Sequence, residues 1–264
     1  MKKIYLAALT LAMTACVSND DLNPVDNYGY IDVNVSNDPV MVTRAEGDPE
    51  VENLNAWTII ATNSTGANVE YDKTNKYIKV NEGSYTIKAS NYSNAGQALL
   101  ANEGLGDAYY EGSATCEVSP GSTTSVKIEC GQAKNSRIKL LSTLDDAFSN
   151  VKLNVIGERQ KSLNIDDVMY FNIGEGGTQI SYNITYTHNL AGNVTLPATN
   201  SASNYFTLRL DNPAYEYQIR LSSNSNGIIY VTVTWNTSFT ESISQTIQFD
   251  AATGEKVETP SQGE

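Results

Sequence analysis

The 264-residue sequence has little of what common catalytic and metal sites require. It contains one histidine and three cysteines, with no Cys-x-x-Cys pair and no second histidine to complete a zinc site. His188 follows a stretch of alternating polarity, and no serine or cysteine has the local context of an activated nucleophile. We therefore predict that the protein is not an enzyme and uses no metal or cofactor.

Paired carboxylates are present, but their spacing does not suit catalysis. Asp145-Asp146 and Asp166-Asp167 are each adjacent in the chain. Adjacent residues on a strand point to opposite faces, so neither pair alone can flank a glycosidic bond. We interpret them as solvated charges.

Basic residues are also scarce. The chain has 17 Lys and Arg against 30 Asp and Glu, for a formal net charge of -13. Binding to nucleic acid needs basic patches that displace counterions from phosphates, so this balance argues against a nucleic-acid partner. It also disfavours adsorption to anionic membranes, so any membrane attachment must come from a lipid.

The N-terminal apolar run is too short to span a membrane. Residues 4–13 form a run of about ten residues, whereas a spanning helix needs roughly twenty. Lys2 and Lys3 precede the run, and Met13-Thr14-Ala15-Cys16 closes it. This segment resembles a bacterial lipoprotein signal, with Met13 where leucine is usual. The resemblance implies that residues 1–15 are a signal peptide and that Cys16 is the lipid attachment site, carrying palmitate.

The residues after Cys16 predict where the protein is located. Residues 16–27 are polar and are predicted to be a lipidated tether. Residues 17–21 resemble the acidic export signal of Bacteroidetes surface lipoproteins, which implies an outer-membrane, lipid-anchored protein exposed at the cell surface. The alternative is that Asp20 and Asp21 only begin a solvated tether.

Helical periodicity is absent, which predicts an all-β fold. No long stretch has apolar residues three and four apart, and Asn, Ser, Thr and Tyr are abundant. In residues 29–35, Ile31, Val33 and Val35 share one face of a strand. Further strands are predicted at 54–62, 77–80, 84–89, 114–118, 126–130, 137–141, 150–156, 168–173, 179–187, 205–210, 215–221, 228–235 and 243–249.

Two cysteines remain once the lipidated one is set aside. Residues 114–118 and 126–130 flank a Ser-Pro-Gly-Ser turn and are predicted to pair as a hairpin. In one register of that hairpin Cys116 lies opposite Cys130, and a disulfide is within reach in an oxidising compartment. The alternative is two small buried thiols that pack as hydrophobic groups, because a two-residue slip would separate them.

The chain is predicted to divide into two units. A polar link near residues 131–135 separates an N-terminal β-rich unit, predicted at 28–133, from a C-terminal one at 134–252. Residues 253–264 are predicted to be a polar tail.

Several segments of the first unit carry a resemblance to a known family. They are Gly29-Tyr30-Ile31, Thr43-Arg44-Ala45, Tyr110-Glu111-Gly112 and the segments 83–89, 119–123 and 126–135. These segments resemble a family of Bacteroidales surface lipoproteins of unknown function, similar to the fimbrillin-like proteins that build surface fimbriae. The resemblance implies two transthyretin-like β-sandwiches in tandem.

The resemblance also gives a role to Arg44. In fimbrillins that polymerise, it implies cleavage after an arginine in the early loop, which opens a groove for a neighbour's strand. Arg44 is the matching position, and the alternative is an ordinary loop charge. The tail after Phe249 has no apolar alternation, so only residues 243–249 could donate a strand.

Two functions compete at this point. The leading prediction is a surface-anchored, fimbrillin-like lipoprotein with a structural or adhesive role in cell attachment or fimbria assembly. It would act as an anchor, a tip or a stand-alone adhesin, with other fimbrial subunits as partners. The alternative is a glycan-binding accessory lipoprotein of an outer-membrane nutrient-uptake system. Its motivation is the set of 16 tyrosines together with Trp57, whose rings could stack on host or plant glycans.

Overall fold

The computed structural model describes residues 27–36, 54–198, 204–236 and 241–257, and these are mostly strand. The predicted signal peptide, Cys16 and Arg44 lie outside the described residues. One short helix, α1, spans Ala95–Leu100. The strands are β1 (Tyr28–Ser36), β2 (Thr58–Asn63), β3 (Asn68–Glu70), β4 (Ile78–Asn81), β5 (Gly83–Ser90), β6 (Glu111–Val118), β7 (Thr123–Glu129), β8 (Asn135–Ser142), β9 (Phe148–Ile156), β10 (Lys161–Leu163), β11 (Val168–Asn172), β12 (Thr178–His188), β13 (Gly192–Leu196), β14 (Phe206–Leu210), β15 (Glu216–Ser223), β16 (Ile228–Asn236) and β17 (Glu241–Asp250).

The first domain is a sandwich of two sheets. One has the strand order β4-β1-β7 and the other the order β3-β2-β5-β6. Burial alternates along the strands: in β5, Tyr85, Ile87 and Ala89 are buried while the residues between them are exposed. The two inner faces enclose one core, which includes Trp57 and Tyr110.

The second domain is a larger sandwich with its own core. One sheet has the order β11-β8-β15-β16-β17, and the other has the order β10-β9-β12-β13, with β14 also paired to β12. Tyr182, Tyr186 and Phe249 are among the large buried side chains between these sheets. The prediction of an all-β fold with two tandem sandwiches is confirmed.

The two domains share one topology. In each, the first strand lies between an antiparallel and a parallel neighbour: β1 between β4 and β7, and β8 between β11 and β15. The opposite sheets also correspond, β3-β2-β5-β6 with β10-β9-β12-β14. The second domain adds β13 beside β12, and it extends β15 with the hairpin β16–β17.

The predicted hairpin of residues 114–118 and 126–130 is wrong. β6 pairs with β5, where Cys116 lies opposite Tyr85, and β7 pairs in parallel with β1 in the other sheet. The turn between β6 and β7 therefore carries the chain across the sandwich. Alternation fixes which side chains face the core but not which strand is the neighbour. Cys116 and Cys130 are both free, and the disulfide that depended on this hairpin is not formed.

The segment between β5 and β6 of the first domain contacts the second domain. Between β5 and β6 it contains α1, whose Asn94 N-cap side chain accepts a hydrogen bond from the Gln97 amide. A helix of six residues is too short to show the periodicity that reveals longer helices. Beyond α1, the carbonyl of Leu105 accepts a hydrogen bond of 2.8 Å from the amide of Tyr170 on β11, so the two domains share a backbone contact.

Arg159 strengthens this interface. Its Nη2 donates to the carbonyl oxygens of Leu99 at 3.0 Å and Gly104 at 2.8 Å, and its Nη1 donates to the carbonyl of Tyr170. Burial lowers the pKa of this guanidinium. Asn135, at the start of β8, is 1% exposed and hydrogen-bonds two backbone groups of the first domain. Charged and amide side chains thus satisfy backbone groups of both domains at once.

The second sandwich extends beyond the predicted boundary at residue 252. The hydroxyl of Tyr186 donates to the carbonyl of Ala251 at 2.8 Å, and the amide of Ala198 donates to the carbonyl of Gly254 at 2.9 Å. The amide of Val257 then bonds the carbonyl of Gln248 on β17. The chain after β17 therefore closes one end of the second core before it turns back along that strand.

Candidate functional site

The first strand is both the start of the described fold and the centre of a sheet. β1 pairs antiparallel with β4 over residues 28–31 and in parallel with β7 over residues 30–36. Parallel strands need a long connection, and here the rest of the domain supplies it. β1 precedes every other strand that the structure describes, so it can leave the sheet without unthreading any of them, and this position is suited to exchange.

Alternation along β1 explains why it occupies this place. Ile31, Val33 and Val35 are 0%, 4% and 5% exposed, as their shared face predicted. Full burial of each aliphatic side chain stabilises the strand by roughly 1.5–3 kcal/mol. Gly29 allows a close approach at the start of the strand, because a Cβ there would lie 2.4 Å from Cγ1 of Val118.

Without β1, the sheet would contain a groove one strand wide. Among the strands that the structure describes, only β1 joins β4 to β7. The walls would be Ile78 and Val80 on β4 and Val126 and Ile128 on β7, all of them buried in the intact sandwich. Both walls would also carry unpaired N–H and C=O groups, which a new strand could satisfy.

The outer edge of β7 is closed, so an added strand has no place there. The hydroxyl of Thr124 donates to the carbonyl of Glu117 on β6 at 3.1 Å. At the other end of β7, a Cβ on Gly112 of β6 would lie 2.4 Å from the carbonyl oxygen of Glu129. β6 therefore packs along β7 from end to end. A new strand could pair with β7 only at its other edge, which β1 occupies.

The two cysteines occupy separate places beside this site. Cys130 is buried, its Sγ lies 3.9 Å from the carbonyl oxygen of Ala89, and burial raises the pKa of its thiol to about 11. Cys116 is half-buried on β6, and burial raises the pKa of its thiol as well. Thiols held in the protonated form are poor nucleophiles, and the two side chains behave here as small packed groups.

The other residues singled out from the sequence are not brought together. His188 lies at the end of β12, where its Nδ1 accepts a 3.3 Å hydrogen bond from the amide of Ala191. Asp145 accepts a hydrogen bond from the amide of Ala147, and Asp166 forms a 3.0 Å ion pair with Lys139. Within the described ranges, no group of three or more His, Cys, Asp or Glu side chains is placed to hold a metal ion.

Trp57 does not form a binding platform. It is 1% exposed and belongs to the core of the first domain. Trp57 directly precedes β2, and the residues before it do not alternate, so the sequence did not predict which face it would take. A buried ring cannot stack on a sugar, so this part of the glycan-binding prediction is wrong.

The fold and the site define a class of protein: a two-domain β-sandwich protein in which the first strand completes the first domain's sheet. No helix within the described part of the chain has the length and apolarity to cross a membrane. The chain belongs to the family described as Domain of unknown function (DUF4493), whose model matches residues 27–250. The predicted resemblance to a family of unknown function is confirmed.

Solved structures with partial similarity to this chain include adhesion and fimbrial proteins. A candidate cell adhesion protein from Bacteroides fragilis is 12% identical, with coverage of 82% of this chain and 100% of that chain and a TM-score of 0.40. The tip fimbrial protein Mfa3 from Porphyromonas gingivalis is 10% identical, with coverage of 79% and 98% and a TM-score of 0.35. A fimbrial assembly protein from Parabacteroides distasonis is 7% identical, with coverage of 71% and 90% and a TM-score of 0.37. No curated protein sequence matches the chain.

Proposed function

We propose that this protein is a non-catalytic surface lipoprotein with a structural or adhesive role in cell attachment or fimbria assembly. The observation that supports it most is the position of β1, the first described strand, which lies between β4 and β7 and whose removal would leave an apolar groove. Acylated Cys16 would attach the chain to outer-membrane lipid, and another subunit's strand would be the natural occupant of the groove.

The order of features along the chain favours an anchor, a tip or a stand-alone adhesin. Cys16 and β1 both precede Arg44, so cleavage after Arg44 would leave the body of the protein attached to the lipid only through the pairing of β1. An uncut chain stays anchored covalently.

The C-terminal strand supports the same choice. β17 pairs with β16 along its length, and Phe249 is buried in the second core. Residues 243–249, the segment that could donate a strand, are therefore engaged in their own sandwich. A subunit of this kind accepts a strand more readily than it donates one.

Localisation and processing can be tested together on intact cells. Protease added to cells should degrade the protein, and the Cys16→Ala variant should no longer fractionate with the outer membrane. N-terminal sequencing of the mature protein distinguishes the uncut form, which begins at Cys16, from a form cut after Arg44. Protection from external protease in cells that carry the acylated protein would refute the surface role.

The alternative of a glycan-binding accessory protein in nutrient uptake stays a prediction, without the contribution of Trp57. A genetic experiment distinguishes the two roles. Deletion of the gene should leave growth on polysaccharides unchanged and reduce attachment if the structural or adhesive role is correct.

A further inference from the structure

Three tyrosines lie together on the outer face of the first domain's three-stranded sheet. Tyr28 and Tyr30 are on β1, and Tyr77 directly precedes β4, opposite Asp32 in the continuation of the antiparallel register. The inward neighbours of these residues fill the core, whereas Tyr28 is exposed and Tyr30 and Tyr77 are half-buried. We call Tyr28, Tyr30 and Tyr77 the tyrosine face.

Two of the rings are in contact, and Lys79 lies over the third. Tyr30 and Tyr77 meet edge to face, with centroids 4.9 Å apart and planes at 79°. Lys79 places its ammonium 4.5 Å from the centroid of Tyr28, in a cation–π contact. Tyr28 is 42% exposed, which is unusual in a chain where many tyrosines are in the two cores. Because residues two apart on a strand are separated by about 6.6 Å, the first two rings span the length of one sugar residue.

Hydrogen-bonding groups flank the rings. Asp32 and Asn34 continue the outward row of β1, and Asn81 lies opposite Tyr28 on β4, all three exposed. A partly exposed aromatic surface bordered by amide and carboxylate groups matches a sugar, whose C–H faces are apolar and whose rim of hydroxyls both donates and accepts. The net charge of -13 disfavours acidic glycans and leaves neutral ones.

We propose that the tyrosine face binds a neutral oligosaccharide. This inference rests on the proposed adhesive role and names its ligand class. Two of the three rings are on β1, so the binding face exists only while β1 occupies its own sheet. A chain that lost β1 to strand exchange would lose the face, and adhesion and strand acceptance would then be alternative states of one domain.

Saturation-transfer difference NMR with the folded chain tests the proposal. The probes are cellohexaose, xylohexaose and a mannan oligosaccharide. Tyr28→Ala should weaken binding of the recognised sugar roughly tenfold, the loss of one aromatic contact. Tyr205→Ala is the matched control, because Tyr205 is 41% exposed but lies on the second domain, and it should leave binding unchanged. Thermal unfolding of both variants shows that each remains folded.

Three results would overturn the proposal: no binding of any of the three probes, equal binding by the Tyr28→Ala variant, or equal losses in the Tyr28→Ala and Tyr205→Ala variants. None of these depends on where the protein is in the cell. A chain that binds sugar yet is protected from external protease would instead refute the surface role while the sugar site stands.

Discussion

Truncation of a core-facing side chain on β1 should loosen that strand specifically. Ile31 is 0% exposed and lies at the centre of the first core, opposite Ile78 of β4. Ile31→Ala removes three methylene equivalents and leaves a cavity, for a loss of about 3–4 kcal/mol of unfolding free energy. Asn34→Ala, on the exposed face of the same strand, should cost less than about 0.5 kcal/mol.

Urea denaturation measures the difference between these two variants. With a slope of about 2 kcal/mol per molar urea, Ile31→Ala should lower the midpoint of the unfolding transition by about 1.5–2 M. The same variant should bind a labelled peptide of residues 28–36 faster than the wild type does, because vacating the groove now costs less. Asn34→Ala should leave both the midpoint and the rate of peptide uptake unchanged.

Two results would refute this reasoning. Equal midpoints for the Ile31→Ala and Asn34→Ala variants would show that β1 contributes little to the first core. A large loss of stability without faster peptide uptake would show that β1 does not leave as a unit, and the exchange site would have to lie elsewhere.

Other consequences of the structure can be measured in the same way. Arg159→Ala should leave carbonyl groups at the domain interface without their donor and lower the free energy of unfolding by about 2–4 kcal/mol. Calorimetry should then show two unfolding transitions, and one unchanged transition would contradict this. The buried Cys130 thiol has a pKa raised from 9.0 to about 11, so its contribution to stability is full below pH 9 and is lost as the pH rises to 11. The difference in stability between wild type and Cys130→Ala should follow that pH window, and a flat difference would exclude it. Gly112→Ala should cost about 1–3 kcal/mol in chemical denaturation, because its Cβ would lie 2.4 Å from the carbonyl oxygen of Glu129. Gly174→Ala should be neutral, because its Cβ would lie 3.9 Å from the carbonyl oxygen of Gly177, an ordinary van der Waals contact.

Much of the strand pattern could be predicted because it is local. Ile31, Val33 and Val35 alternate with polar residues, and only an extended strand with one buried face satisfies that pattern. The short strands β3, β10 and β13 were missed, since three to five residues rarely show two full periods.

The alternation of apolar and polar residues could not predict which strands are neighbours. β6 and β7 are consecutive and each has an apolar face, yet they belong to different sheets. The choice depends on how all the strands pack at once, because each inner face must find an opposing face of matching shape. The alternative that Trp57 is exposed was left open for the same reason, since burial in the core depends on distant strands.

The sequence by itself determined the all-β class, the division into two sandwiches and the predicted lipid attachment at Cys16, because alternation, composition and a short terminal motif are properties of neighbouring residues. Tertiary structure alone decided that β1 lies between β4 and β7, that Cys116 and Cys130 remain separate thiols, and that Tyr28, Tyr30 and Tyr77 meet on one face. These features arise from contacts between residues far apart in the chain, and such contacts follow from the packing of the whole domain.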